Sequence, residues 1–117
     1  MWVQRNRETP FFVIVAYMEK RCDACEYLSD SKNEILGTKF WTVKIYNDQP
    51  YLGRAYCTVK THKSSLGELS KEEWDDLHHV FKELQAMYRK AFGAKLINVE
   101  CNMNNAFRTK PYNPHVH

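Results

Sequence analysis

The residues with the clearest chemical potential are two pairs near opposite ends of the chain. Cys22 and Cys25 form a Cys-x-x-Cys pair, and His115 and His117 lie in the last segment, PYNPHVH. The cysteine spacing lets two thiolates reach one metal ion from a tight turn. If His-Val-His is a strand, its period of two places both imidazoles on one face, where they suit a metal or a nucleophile with a helper. A loose terminus with two solvated histidines is the alternative.

A metal held by the cysteine pair needs two further ligands, and the terminal histidines compete for this role with His62, His78 and His79. Adjacent helical residues point about 100° apart, so His78 and His79 cannot both face one site and are expected to be solvated. A redox role for the cysteine pair would require a βαβ unit, which this hairpin-rich pattern does not show. Cys57 and Cys101, in predicted strands, are expected to be small core residues.

Polar residues near the C-terminus offer contacts to an anionic ligand. Asn102, Asn104 and Asn105 could hold ribose hydroxyls or phosphate oxygens through their amides, or they could simply form turns, because asparagine tolerates left-handed backbone. Arg108 and Lys110 precede the terminal histidines and are placed either to meet an anion or to form plain surface.

Composition limits the class of protein. A length of 117 residues with 44% hydrophobic and 14% aromatic residues suits one domain with a packed core. The net charge of +3 comes without a concentrated basic stripe, so no nucleic-acid partner is expected. No signal peptide is visible, and FFVIVAY at 11–17 is too short to span a membrane. We therefore expect a cytoplasmic protein without membrane contact, a setting in which Cys-x-x-Cys usually serves metal or redox chemistry.

Strands and one long helix must position these residues. FFVIVAYMEKRC leans towards helix, although its β-branched centre also fits a strand. ILGTKFWTVKIYN predicts a hairpin that turns at Gly37, RAYCTVKTH predicts a strand ending at His62, and KLINVECN predicts another. HVH would begin a last strand.

The long helix is predicted to start at Ser70, with Glu73 completing a capping box, and to stop at Gly93. Its apolar face has helical spacing and is expected to pack on the sheet. It comprises Trp74, Leu77, Val80, Phe81, Leu84, Met87, Tyr88 and Phe92.

This order of elements resembles the histidine triad (HIT) superfamily of nucleotidyl hydrolases and transferases, which includes the diadenosine tetraphosphate hydrolases. The resemblance covers about residues 20–117 and rests on CDAC, FWTVKIYNDQPYLGRAYCTVKTHK, the capped helix and INVECNMNNAFRTKPYNPHVH. It is closest to a prokaryotic branch. It implies an α+β fold in which one long helix packs on an antiparallel sheet of about five strands.

The family signature is three alternating histidines followed by two apolar residues. The first falls on His115 and the second, the nucleophile by family analogy, on His117. The third would lie two positions beyond the last residue of the sequence. The resemblance therefore implies that residues 1–117 are a single HIT-like domain, cut short within its catalytic strand.

The resemblance also implies a structural Zn²⁺ site. In zinc-bearing branches of the family the ligands are a Cys-x-x-Cys pair, a histidine that ends the strand before the long helix, and the first histidine of the triad. These match Cys22, Cys25, His62 and His115, a set suited to tetrahedral zinc.

The implied activity is attack by His117 on the α-phosphorus of a nucleoside polyphosphate or phosphoramidate, so a nucleotide or dinucleoside polyphosphate is the expected ligand. The base would lie against apolar side chains such as Trp41. The loop NNAFRTKPYNP lacks the glycines usual before the triad, so phosphate contacts are expected from Asn104, Asn105 or Arg108. Family members commonly pair, which makes a homodimer possible. The alternative is a non-catalytic, zinc-stabilised module that binds nucleotides or another partner.

Overall fold

A computed structural model describes residues 22–103 and 113–117 of the chain. The fold class is α+β, as predicted. The elements in chain order are helix α1 (Asp23–Tyr27), strands β1 (Glu34–Gly37), β2 (Trp41–Ile45) and β3 (Ala55–Val59), a 3-10 turn (Leu66–Glu68) and helix α2 (Lys71–Phe92). The predicted segment FFVIVAYMEKRC lies outside the described residues, apart from Cys22.

The sheet is antiparallel with the order β1-β2-β3. The hairpin predicted around Gly37 is confirmed, because β1 pairs with β2 across the turn that follows this residue. β3 pairs with β2 in regular register, from Trp41 opposite Val59 to Ile45 opposite Ala55. The central strand β2 therefore has a hydrogen-bonded neighbour on each side, which makes it the element on which the other parts are arranged.

The sheet has three strands in the described part of the chain, so the expectation of about five was wrong for these residues. The segment KLINVECN, predicted as a strand, has no strand partner there and is not a strand. Its Leu96 and Val99 side chains are 84% and 60% exposed. Alternating apolar residues favour a strand only where a neighbouring edge can accept the backbone hydrogen bonds, and sequence alone does not show whether that edge exists.

The terminal segment HVH is also not a regular strand, although it lies against β3. The amide of Val116 donates to the carbonyl of Lys63 at 2.9 Å, and the amide of Val59 donates to the carbonyl of Val116 at 3.3 Å. The Val116 side chain is 2% exposed and belongs to the core. The two flanking histidines are therefore anchored by the residue between them.

Helix α2 begins and ends as predicted. The Ser70 hydroxyl accepts from the amide of Glu73 at 3.1 Å, and the Glu73 carboxylate accepts from the amide of Ser70 at 3.3 Å, which completes the capping box. Gly93 closes the helix in the left-handed conformation, with φ of 66°. This conformation favours glycine, which carries no Cβ to clash.

One face of α2 packs on one face of the sheet. Leu77, Val80 and Leu84 are buried with Trp41 and Val43 of β2 in a single core cluster. Among the described residues, no helix has both the length and the apolar composition that crossing a membrane requires.

Two residues assigned to the buried helical face lie at its edge. Trp74 and Phe92 are 45% and 46% exposed. The face is centred on Leu77, Val80 and Leu84, and the buried position in the first turn is Glu73 instead of Trp74. A carboxylate occupies this position because Lys63 lies 3.6 Å from it and the cap amide donates to it.

The opposite face of β2 is also buried, although its residues are polar. Thr42 and Lys44 are 7% and 1% exposed. Alternation of apolar and polar residues normally indicates a strand with one solvated face. Here residues 22–30, which we call the cysteine turn, cover that face through contacts of Lys44 with Tyr27 and Asp30.

The helix–sheet packing predicts different costs for two large apolar residues of α2. Leu84→Ala should lower the free energy of unfolding by roughly 2–5 kcal/mol, because it opens a cavity in the core. Trp74→Ala should cost about 1 kcal/mol or less, because nearly half of the side chain is already in water. Urea denaturation of both variants measures the difference, and equal losses would show that the helix packs on another face.

Candidate metal centre

The cysteine turn brings its two sulfurs together through a helix cap. Cys22 has extended backbone and is the N-cap of α1, and its Sγ accepts from the amide of Cys25 at 3.4 Å. This contact satisfies one of the free amides in the first helical turn, a role usually taken by a serine or aspartate oxygen. Cys22 is buried and Cys25 is exposed. The short helix thus presents both sulfurs at its N-terminal end.

The two histidines approach these sulfurs from segments at the C-terminal end of β3. His62 follows this strand in the loop towards α2, and His115 precedes the anchored Val116. The two rings lie edge to face, with centroids 4.8 Å apart. His115 is 4% exposed, so the C-terminal segment delivers its imidazole into the interior.

The four side chains converge on one small space. The Nδ1 atom of His115 lies 3.4 Å from Sγ of Cys22 and 3.4 Å from Sγ of Cys25, and Nδ1 of His62 lies 3.4 Å from Sγ of Cys25. All four candidate ligand atoms lie within 4.8 Å of one another.

The three sulfur–nitrogen separations of 3.4 Å match those expected around one tetrahedral ion. With metal–sulfur and metal–nitrogen bonds of about 2.3 and 2.05 Å, sulfur and nitrogen ligands lie roughly 3.5 Å apart. The predicted set of Cys22, Cys25, His62 and His115 is therefore a group that could hold a metal such as zinc.

The far nitrogens of both rings are held by neighbours, which leaves the near nitrogens free to coordinate. Nε2 of His115 lies 2.7 Å from the carbonyl oxygen of Val59, which can only accept, so Nε2 carries the proton and Nδ1 has the lone pair. Nε2 of His62 lies 3.3 Å from Oγ of Ser64. Such outer contacts orient metal-bound histidines and fix their tautomer.

Burial shifts the pKa of two groups in this cluster. Burial raises the pKa of the Cys25 thiol to about 11, and the hydrogen bond and charge of Cys22 add to the rise. Burial also lowers the pKa of His115, which keeps the imidazole neutral at pH 7. None of the four cysteines, all of which lie in the described residues, is in a disulfide.

His117 lies beside this group without joining it. Its Nδ1 is 2.8 Å from the carbonyl oxygen of His115, so Nδ1 donates, and in the neutral tautomer that makes this bond the lone pair is on Nε2. Its ring lies edge-on to Tyr56 at 5.7 Å, and Tyr56 in turn contacts Tyr46 at 4.7 Å. Arg54 stacks over Tyr46 at 4.4 Å. The half-buried imidazole of His117 thus borders an aromatic surface that Arg54 flanks.

The predicted nucleotide-binding residues are placed differently. Trp41 is 2% exposed, and its indole Nε1 donates to the carbonyl of Glu73 at 2.8 Å. Trp41 is therefore a core residue, and its buried side chain offers no surface to a base. The structure corrects that expectation. Asn104, Asn105 and Arg108 lie outside the described residues.

The remaining candidate histidines and cysteines lie away from the metal group. His78 and His79 are exposed on α2, as predicted. Cys57 is half-buried and packs against the core, which agrees with its prediction. Cys101 is exposed, so its prediction as a core residue was wrong. The predicted strand KLINVECN is not present, and Cys101 was expected to be buried only as part of that strand.

Sequence reasoning missed the residues that support the site. Ser64 and the carbonyl of Val59 act on the histidine rings, and Lys44 acts on the cysteine turn. The spacing of Ser64 two residues after His62 was a weak signal at best. Backbone carbonyls carry no sequence signal, and a lysine in an alternating strand normally lies on the solvated face.

Comparison with known proteins adds no relative to this geometry: no family model, no curated protein and no solved structure matches the chain.

Proposed function

We propose that this chain is a zinc-stabilised protein of HIT-like organisation that transfers or hydrolyses the nucleotidyl group of a nucleoside polyphosphate or phosphoramidate, with His117 as the nucleophile. The supporting observation is the convergence of Cys22, Cys25, His62 and His115. These are the residues that the family pattern selects as zinc ligands. They come together although Cys22 and His115 lie 93 positions apart in the sequence.

Zinc is the metal that this ligand set suits best. Two cysteines and two histidines form a common structural zinc site with four protein ligands and no open position. Zinc bound there would hold the cysteine turn, the loop after β3 and the C-terminal segment together. Because unfolded chains rarely contain a preformed site, this binding free energy would stabilise the folded state.

His117 has the features that a nucleophile needs. It is outside the group of four ligands, and its donor contact to the His115 carbonyl leaves the Nε2 lone pair available. A neutral imidazole is a competent nucleophile near pH 7. Its contact with Tyr56 limits the orientations of the ring. The anchoring of Val116 on β3 then fixes the backbone from which the ring projects.

The reaction would proceed in two steps. Nε2 of His117 attacks the α-phosphorus, which forms an N–P bond and releases the remaining phosphates or the amine. Water or another acceptor then attacks the same phosphorus, breaks the N–P bond and restores the imidazole. Two displacements through a covalent intermediate each have a lower barrier than one direct displacement. In this proposal Asn104, Asn105 and Arg108 would contact the phosphoryl oxygens.

A second candidate function keeps the fold and the metal but not turnover. A zinc-stabilised module that only binds a nucleotide, or another partner, would also need Cys22, Cys25, His62 and His115. The hydrogen bond from Nδ1 of His117 favours the enzyme, since it holds the ring with Nε2 turned away from the His115 carbonyl, which a binding module does not need. The two candidates differ in whether bound nucleotide is turned over.

The zinc site predicts a metal content of one ion per chain. Cys22→Ser should remove most of the bound zinc and lower the melting temperature, because the metal stabilises the fold. Cys101→Ser is the matched control, because this cysteine is exposed and outside the group. Elemental analysis and thermal denaturation of protein purified without chelator measure both effects. A metal-free parent, or equal behaviour of the two variants, would contradict the site.

The nucleophile assignment predicts that His117→Ala abolishes nucleotidyl transfer while zinc content and melting temperature stay at the parent values. His79→Ala, an exposed histidine on α2, should leave turnover unchanged. A panel of dinucleoside polyphosphates and adenosine phosphoramidates serves as substrate. Turnover near the parent rate in His117→Ala would refute the mechanism. Binding without turnover in the parent itself would favour the module.

Self-association is the last part of the proposal. The end of α2 and the segment after it expose Phe92, Leu96 and Val99 at 46%, 84% and 60%. Covering such side chains in a homodimer would remove apolar surface from water. Light scattering should then give the mass of two chains, and a monomer mass at micromolar concentration would exclude this assembly.

A further inference from the structure

A buried lysine connects the metal ligands to the sheet. Lys44 lies in the central strand β2, its side chain is 1% exposed, and it points to the face opposite α2. Adjacent residues of a strand point to opposite faces of the sheet, so Lys44 points away from the core that its neighbour Val43 contacts. Burying a charged group is costly unless its hydrogen bonds are satisfied, so its surroundings need an explanation.

The cysteine turn supplies acceptors for all three protons of the Lys44 ammonium group. Nζ donates to the carbonyl of Tyr27 at 2.5 Å, to the carbonyl of Asp30 at 2.6 Å and to Oδ1 of Asp30 at 3.1 Å. An ammonium has three donors and no acceptor, so its hydrogen-bonding capacity is filled. It also lies 4.6 Å from the centre of the Tyr27 ring.

These contacts fall at the end of α1 that is opposite the sulfurs. Tyr27 is the last residue of α1, and carbonyls at a helix C-terminus lack partners within the helix and attract cations. Cys22 and Cys25 are at the beginning of the same short helix. The cysteine turn is therefore held at two points: by Lys44 at its C-terminal side, and by the histidines, through any shared metal, at its N-terminal side.

We infer that Lys44 is a positioning residue for the metal centre, an inference that rests on the proposed zinc site. By holding the cysteine turn against β2, Lys44 places the two sulfurs next to His62 and His115 before metal arrives. Ligand groups already in position lose less conformational freedom on binding, so the metal binds more tightly. Lys44 touches no ligand atom and acts only through the backbone that carries the cysteines.

The test is the zinc affinity of Lys44→Met, measured by competition with a chromophoric chelator. Removal of supporting contacts around metal ligands typically weakens metal binding about 10- to 100-fold, and a loss in this range is expected. Val43→Ala is the matched control. It weakens the same strand on the face towards α2 without touching the cysteine turn, so its zinc affinity should stay within about threefold of the parent, a margin we set well below that range.

A second variant covers the case in which Lys44→Met does not fold. Asp30→Ala removes one of the three acceptors at a residue whose side chain is 67% exposed, so it should disturb the fold less than Lys44→Met does. It should weaken zinc binding in the same direction by a smaller factor. The cobalt-substituted proteins should keep the parent absorption spectrum, because the ligands themselves are unchanged.

The outcomes separate this inference from the zinc proposal. A parent protein that binds no zinc defeats both. Tight zinc binding by the parent with unchanged affinity in folded Lys44→Met, or in Asp30→Ala if Lys44→Met is unfolded, overturns the role of Lys44 alone. Equal losses in Lys44→Met and Val43→Ala would also overturn it, because general weakening of the strand would then explain the effect.

Discussion

The contact between the cysteine turn and the two histidines joins that turn to two segments, the loop after β3 and the C-terminal segment, which backbone hydrogen bonds already hold together. The cysteine turn carries Cys22 and Cys25, the loop after β3 carries His62, and the C-terminal segment carries His115. A sulfur or imidazole nitrogen in such a group gains little from the others without an ion, since thiols are weak hydrogen-bond donors. Metal coordination would turn this near-contact into a strong cross-link and thereby fix where His117 stands.

β2 organises the rest because each of its faces has a different cover. The apolar face packs on α2, where burial from water supplies the stabilisation. The polar face is covered by the cysteine turn, where the Lys44 ammonium must exchange water for carbonyl and carboxylate oxygens. The packing of α2 depends on the apolar area that it buries and tolerates small shifts. The contacts of the Lys44 ammonium depend on hydrogen-bond direction and do not tolerate such shifts. The cysteine turn, which carries Cys22 and Cys25, lies on the second of these faces.

Prediction from sequence succeeded where the determining interactions are local. The capping box at Ser70, the left-handed stop at Gly93 and the hairpin around Gly37 involve neighbours a few residues apart, and all three are present. It failed for KLINVECN and Trp74. The former needs a neighbouring edge to become a strand, and the latter needs the exact rotation of α2 on the sheet. Both are set by partners distant in sequence.

For the site, residue types and a family resemblance selected Cys22, Cys25, His62 and His115, but spacing alone left several histidines open. Only the tertiary structure decided that His62 and His115 meet the cysteines, because the return of β3 and the anchoring of Val116 bring these residues together. The tertiary structure also shows that Trp41 lies in the core and that Lys44 is buried. Local sequence determines how a segment bends and which chemistry it carries. Which segment covers each face of a strand depends on residues distant in the sequence, so only the complete tertiary fold determines it.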